Sequence, residues 1–167
     1  MSNNQDYIID SKEKLEALIN SDGLLNQDAR IQGSFKSLGI LKKVNGHLSI
    51  DSEYLQSLGD LTNVTKDIWY HEKSLKSLGN LKEVGGSMNM RYSDIECLGE
   101  LVSVKGDLSL RDTNISNLGK LQHVGGNLFL PKRMQDIDIS HIEILGKLKY
   151  WNDKMVKKKL FSVGSEH

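Results

Sequence analysis

The chain has very little of what cross-links, stiffens or anchors other proteins. Among its 167 residues there is one cysteine, Cys97, and one proline, Pro131. A single cysteine forms neither an internal disulfide nor a zinc knuckle, and it fits a reducing compartment. No apolar run approaches the roughly 20 residues that span a bilayer, and the polar residues 1–6 lack the pattern of a secretory signal. We therefore expect a cytoplasmic protein without a membrane segment.

The chain also lacks an excess of charge of either sign. It carries 22 basic and 22 acidic residues, which gives a formal net charge of 0. Proteins that bind nucleic acids or membrane surfaces usually carry a basic excess. The neutral total therefore disfavours both as partners.

No arrangement of residues typical of catalysis or metal binding is present in the sequence. The five histidines, of which His47 and His71 fall on neighbouring repeats, do not show the spacing of metal ligands. Cys97 stands in a column of small residues beside an apolar corner, so we expect a buried residue rather than a nucleophile. We predict no catalytic residues, no metal and no cofactor, and thus no enzyme.

What the chain does have is glycine, at 15 residues, and a repeat with a period of 20 residues. A Leu-Gly step recurs at this interval five times, with its glycines at positions 39, 59, 79, 99 and 119. Apolar residues keep the same step in five further columns, which begin at Leu41, Val44, Leu48, Ile50 and Leu55. A fixed period of this kind is the signature of a repeat architecture.

A period of 20 residues is too short for a pair of helices and suits one coil of a solenoid with a short strand. In residues 106–110 apolar residues alternate, so Leu108 and Leu110 are predicted to face inwards and Asp107 and Ser109 outwards. Stacked coils place such strands in parallel register. The glycine of each Leu-Gly step permits a corner with positive φ. We predict a mainly β solenoid of 20-residue coils.

Residues 101–110 read L-x-x-V-x-G-x-L-x-L and are followed by Ile115 and Leu118-Gly119. This pattern resembles the leucine-rich-repeat-like coil of receptor L domains, and the similarity covers residues 35–130. The resemblance implies a right-handed leucine-rich-repeat or β-helix-like solenoid that binds proteins or ligands on its strand-lined face. Typical leucine-rich repeats keep an asparagine ladder after the strand, and we expect none here, because the nearby column is Glu53, Lys73, Ser93, Thr113 and Arg133.

Both ends of a solenoid need a cap. We assign residues 1–36 to an N-terminal helical cap, capped at Asp10 or Ser11, and a degenerate coil. Residues 37–136 form five repeats, and residues 137–167 an irregular sixth coil with a basic cap helix over 150–161. The sixth Leu-Gly step, Leu145-Gly146, follows Leu118-Gly119 by 27 residues rather than 20. This gap predicts a seven-residue insertion within residues 131–141.

The outward strand positions supply the candidate site, because aromatic residues beside arginines are typical of protein-binding hot spots. The candidate partner-binding residues are Trp69, His71, Arg91, Tyr92, Arg111, Phe129, Lys132 and Arg133. Two alternatives stay open. Trp69 and Phe129 can instead pack under a neighbouring loop or cap, and the basic row can be an ordinary solvated strand face.

These observations predict a non-enzymatic module that binds another protein through its strand-lined face. A small binder of this kind suits an adaptor or an inhibitor, such as a bacterial or phage protein that occupies a host protein. One alternative is a solenoid that binds or acts on polysaccharides through Asp51, Asp67 and Asp107. Another is a self-assembling structural repeat protein, for instance a homodimer.

Overall fold

A computed structural model describes residues 7–70 and 72–152 of the chain. Within these residues there is one helix, α1 (Lys12–Leu18), and a 3₁₀ turn, Lys132–Met134. The same residues form short strands, which are β1 (Tyr7–Ile9), β2 (Leu24–Leu25), β3 (Ala29–Gln32), β4 (Lys43–Val44), β5 (Leu48–Asp51), β6 (Asn63–Val64), β7 (Ile68–Tyr70), β8 (Glu83–Val84), β9 (Met88–Asn89), β10 (Ser103–Val104), β11 (Leu108–Ser109), β12 (His123–Val124), β13 (Leu128–Pro131), β14 (Glu143–Ile144) and β15 (Leu148–Trp151).

The strands build two parallel sheets that run the length of the solenoid. The odd-numbered strands pair in the order β1-β3-β5-β7-β9-β11-β13-β15, and the even-numbered strands pair from β2 to β14. From β5 onwards each residue pairs with the residue 20 positions later, as Leu48 does with Ile68 and Leu108 with Leu128. The expectation of a mainly β solenoid with 20-residue coils and parallel strands is therefore confirmed.

The apolar columns form one continuous interior between the two sheets. Leu108 and Leu110 are both 0% exposed, as the alternation predicts, and Leu98, Leu101 and Val104 are buried with them. Tyr70 occupies the same column as Leu110, and burial raises the pKa of its phenol, although a hydrogen bond with Ser74 acts in the opposite direction. The buried Tyr70 hydroxyl is therefore hydrogen-bonded, as buried polar groups usually are.

The Leu-Gly step turns a corner in each of the five repeats. The glycines at 39, 59, 79, 99 and 119 have φ angles of 56° to 64°, a region that L side chains rarely adopt. The small residue two positions earlier accepts a hydrogen bond from the glycine N–H, as Ser57 Oγ does from Gly59 at 3.0 Å. Cys97 Sγ takes this role at Gly99, at 3.2 Å. The prediction of a buried cysteine is wrong, because Cys97 is half-buried. Its column lies at the corner of the coil, where the equivalent Ser37 and Asn117 are exposed.

A ladder of polar side chains connects successive coils just before the strands of the odd-numbered sheet. At each step a side chain of one coil accepts a hydrogen bond from the backbone N–H of the equivalent residue in the next coil. The donor–acceptor distances are 2.7 to 3.3 Å. The backbone N–H groups that donate, in order, are those of His47, Asp67, Ser87, Asp107, Asn127 and Lys147, and the side chains that accept are those of Asp28, His47, Asp67, Ser87, Asp107 and Asn127. The ladder satisfies one backbone donor per coil, and buried donors need such a partner.

This ladder corrects one prediction and explains the glycine column. It lies in a column before the strand, so it is distinct from the asparagine ladder after the strand that we did not expect. Asp107 does not simply face outwards, because its Oδ1 accepts from Asn127 N at 2.7 Å. The glycine column follows from the same geometry, since a Cβ at Gly86 or Gly126 would collide with the ladder carboxylate of the preceding coil. Lys66 breaks that column where the preceding ladder residue is His47.

The N-terminal helix α1 forms where the sequence predicts it. Ser11 is the N-cap, and its Oγ accepts a hydrogen bond from Lys14 N at 3.3 Å. Leu15 packs into the core and is 2% exposed. Strand β1 precedes the helix and pairs with β3, so β1 and the helix both belong to the first described coil.

At the C-terminal end the predicted insertion is wrong. Val124 pairs with Ile144 and Leu128 with Leu148, so the last coil keeps the 20-residue step. The pairing leaves no room for seven extra residues, and the Leu145-Gly146 pair resembles the corner motif without forming that corner, since Gly146 lacks the positive φ of the corner glycines. Leu145 is 66% exposed, and Met134 takes part in the core of this coil instead. Strand β15 also includes Tyr150 and Trp151, so no helix begins at residue 150. The rest of the predicted cap helix lies outside the described residues.

We expect Leu108→Ala to lower the free energy of unfolding by about 2–5 kcal/mol, because it opens a cavity in an interior shared by three coils. Denaturant unfolding followed by circular dichroism measures the change. Lys105→Ala, an exposed site in the same repeat, serves as the control and should change stability by less than about 0.5 kcal/mol. A loss as small in Leu108→Ala as in the control would contradict the packing of this column.

We expect Asp107→Ala to cost about 1–3 kcal/mol, because the Asn127 N–H loses its acceptor. Asp107→Asn should cost less, since asparagine already performs this role at Asn127, whose Oδ1 accepts from Lys147 N at 2.9 Å. Unfolding curves of the two variants test the comparison. Equal losses in both would mean that the charge, and not the accepted hydrogen bond, stabilises the ladder.

Candidate functional site

Cationic and aromatic side chains lie interleaved on the outer face of the odd-numbered sheet, towards its C-terminal end. We call this group the cation–aromatic cluster, and its members are Arg91, Tyr92, Arg111, Phe129, Lys149 and Trp151. The guanidinium carbon of Arg91 lies 4.5 Å from the centre of the Tyr92 ring and 5.7 Å from that of Trp151. That of Arg111 lies 4.9 Å from Phe129 and 5.1 Å from Trp151.

The regular stacking of the coils brings these residues together. Phe129 pairs with Lys149 and Pro131 with Trp151, so the outward side chains of successive coils lie at the spacing of parallel strands, about 4.8 Å. Long arginine side chains lean along the stack and lie over rings of later coils. Each cation–ring contact at an exposed site contributes about 0.5–1 kcal/mol, and together the contacts restrict the conformations of these side chains.

Tyr92, a member of the cluster, and Asp112, the carboxylate partner of Arg91, hold unusual backbone conformations. Tyr92 has φ of 71° and Asp112, the equivalent residue of the next coil, has φ of 56°. An aromatic residue rarely adopts positive φ, and such strain concentrates at functional sites. At Tyr92 the conformation accompanies an exposed ring, which is 45% accessible and lies against Arg91. The backbone thus presents a large apolar ring to the outside at a conformational cost.

The charges of the cluster are only partly compensated. Arg91 Nε donates to Asp112 Oδ2 at 3.1 Å, and the Asp112 side chain is only 2% exposed. Arg111 Nε donates to Ser109 Oγ, and neither Arg111 nor Lys149 has a carboxylate partner among residues 7–70 and 72–152. Three cations therefore face one carboxylate, and the cluster is positively charged.

The structure brings together four of the predicted partner-binding residues, namely Arg91, Tyr92, Arg111 and Phe129. Phe129 is half-buried beneath Arg111 and Lys149, so side chains cover it rather than a loop. Ser109, predicted to face outwards, is 6% exposed because Arg111 covers it.

The other four predicted residues lie apart from the cluster or outside the description. Trp69 is 36% exposed and stacks on His47 at 5.2 Å between ring centres, three coils or roughly 14 Å from Phe129. Arg133 donates to the backbone oxygens of Thr113 and Ile115 at 2.6 and 2.8 Å, which is a structural role. Lys132 is exposed in the 3₁₀ turn. His71 lies outside the described residues.

Sequence reasoning missed two members of the cluster, Lys149 and Trp151. The sequence contained the signal for both, because Lys149 and Trp151 stand 20 residues after the outward positions Phe129 and Pro131. The resemblance of Leu145-Gly146 to a corner concealed that step. Trp151 is 40% exposed and contacts both arginines, so it lies at the centre of the cluster.

The acidic residues considered for polysaccharide chemistry make structural contacts instead. Asp67 and Asp107 accept backbone hydrogen bonds of the ladder at 2.7 Å. Asp51 pairs with Arg30 at 2.6 Å on the N-terminal part of the sheet. The described residues hold no group of three or more His, Cys, Asp or Glu side chains suited to a metal ion.

We expect Tyr92→Gly to be less destabilising than Tyr54→Gly by about 1 kcal/mol, because glycine relieves the positive φ at residue 92. Tyr54 is a matched control, since its ring is 54% exposed and its backbone has no positive φ. Thermal or denaturant unfolding of both variants measures the difference. Equal losses would mean that Tyr92 contributes stability that offsets its strain.

Within the described residues no helix is long and apolar enough to cross a membrane. Comparison with known proteins gives no match to a family model, to a curated protein or to a solved structure. The arrangement of the cation–aromatic cluster on a parallel β-solenoid is therefore the ground on which a function is proposed.

Proposed function

We propose that this protein is a non-enzymatic interaction module that binds another protein through the outer face of its odd-numbered sheet. The cation–aromatic cluster is the observation that carries the proposal. Tryptophan, tyrosine and arginine are the residues enriched in binding hot spots, and the cluster joins Trp151, Tyr92 and two arginines on one face.

The physical state of the cluster supports a binding role. Its aromatic rings are about two-fifths exposed at Tyr92 and Trp151 while cations flank them. A surface that is already ordered loses less side-chain entropy when a partner binds. The resemblance to receptor L domains agrees with this use, because those solenoids bind on a strand-lined face. An adaptor or inhibitor that acts by occupying its partner needs no more than such a surface.

The test is affinity purification from lysate of the native host, with the double variant Arg111→Ala and Trp151→Ala compared with the unaltered chain. Arg91 is left in place, because its removal would leave the buried carboxylate of Asp112 without its charge partner. We expect a specific partner whose affinity falls on the order of tenfold or more in the double variant.

The double variant Arg30→Ala and Trp69→Ala is the matched control, since it removes the same residue types from the same face but outside the cluster. It should retain the partner. Both variants are first shown to unfold cooperatively like the unaltered chain. A partner that both variants retain, or that only the control loses, would contradict the assignment of the site to the cluster.

A further inference from the structure

Among residues 7–70 and 72–152, β15 is the last strand of the odd-numbered sheet, and its inward columns are partly exposed. In the preceding coil Leu128 and Leu130 are 0% exposed, whereas their successors in β15, Leu148 and Tyr150, are 37% and 38% exposed. One edge of β15 pairs with β13, and no residue in the described part of the chain pairs with the other edge. Strand β15 thus presents an open edge and two apolar side chains beside the cation–aromatic cluster.

The backbone groups of that edge can be assigned from the coils before it. In each coil the inner-column N–H donates to the next coil, as Leu110 N does to Phe129 O at 2.9 Å and Leu128 N to Lys147 O at 3.0 Å. The register carries this pattern to β15, so the N–H groups of Leu148 and Tyr150 point to the open edge. An extended segment can pair with such an edge as an added strand.

The charge beside this edge selects the kind of segment. Lys149 and Trp151 are the outward residues of β15, and the Arg111 guanidinium reaches to 5.1 Å from the Trp151 ring. Arg111 and Lys149 lack carboxylate partners in the described chain, so acidic side chains on an added strand would find two uncompensated cations. Residues 153–167 of this chain carry four lysines against two acids, which makes them a poor electrostatic match.

We propose that the open edge of β15 binds an extended acidic segment of a partner protein as a ninth strand of the sheet. Alternate side chains of the segment are apolar and cover Leu148 and Tyr150. The intervening side chains are acidic and face Lys149 and Arg111. This inference rests on the proposed function, and it specifies the mode of binding and the chemistry of the partner.

The test begins with a displayed library of random octapeptides selected on the full chain. We expect enriched peptides with acidic residues at every second position, apolar residues between them and no proline. Synthetic copies of those peptides are then titrated calorimetrically against two variants at one position. Tyr150→Pro should weaken binding at least tenfold more than Tyr150→Ala, because both remove the ring but only proline removes the N–H.

Two further comparisons separate charge and backbone pairing from misfolding. Lys149→Glu should weaken binding. Lys105→Glu should not, because Lys105 is an exposed lysine that directly follows β10 of the even-numbered sheet. N-methylation along the selected peptide should block binding at alternate residues only, since a paired strand directs every second N–H to its neighbour. That pattern is read with the unaltered protein, so it remains decisive even if Tyr150→Pro fails to fold.

Several results would overturn the edge proposal. They are enriched peptides without acids, an N-methylation profile without alternation, failure to select any peptide, or equal effects of proline and alanine at position 150. Concentration-dependent dimers that Tyr150→Pro abolishes would assign the edge to a second copy of the chain instead. If the double variant Arg111→Ala and Trp151→Ala loses the native partner but Tyr150→Pro retains it, the proposed binding function is supported and the proposed added strand is contradicted.

Discussion

The hydrogen-bond ladder from Asp28 to Lys147 is the constraint on which the rest of the structure depends. From His47 onwards each ladder side chain accepts a hydrogen bond from the backbone N–H 20 residues later, so these successive coils keep the same length. Equal length then fixes the register of both parallel sheets and stacks the apolar columns. Glycine stands at Gly86, Gly106 and Gly126 because a Cβ there would occupy the space of the ladder side chain of the preceding coil.

This regularity also shapes the outer face. Because strands repeat at about 4.8 Å, a side chain longer than that spacing passes over its neighbour and meets the residues of later coils. Arginine is long enough to do so, and Arg111 therefore contacts both Phe129 in the next coil and Trp151 in the one after. The positive cluster and the open edge of β15 lie side by side because two members of the cluster, Lys149 and Trp151, belong to β15 itself. A partner that met one would meet the other.

The sequence predicted the coils, the inward columns and the glycine corners, since one period of apolar residues can be buried in only one way. It failed where a local motif competed with the long-range register. The stretch around Leu145-Gly146 resembles a corner, yet pairing of β14 with β12 places Gly146 over Gly126 in the glycine column. Parallel pairing involves several hydrogen bonds at once, so it outweighs the turn preference of a single dipeptide. The same error hid Lys149 and Trp151 from the predicted site.

The sequence by itself determined the period, the interior and the set of outward residues, because these follow from the repetition of residue types along the chain. The tertiary structure alone decided which polar column forms the ladder and which outward side chains meet. Trp69 and Phe129 share one row and lie three coils apart, and Trp69 stacks on His47 instead; Arg91 and Trp151, also three coils apart in one row, are in contact. Such contacts depend on the direction in which each side chain lies along the stack, which a linear pattern does not contain.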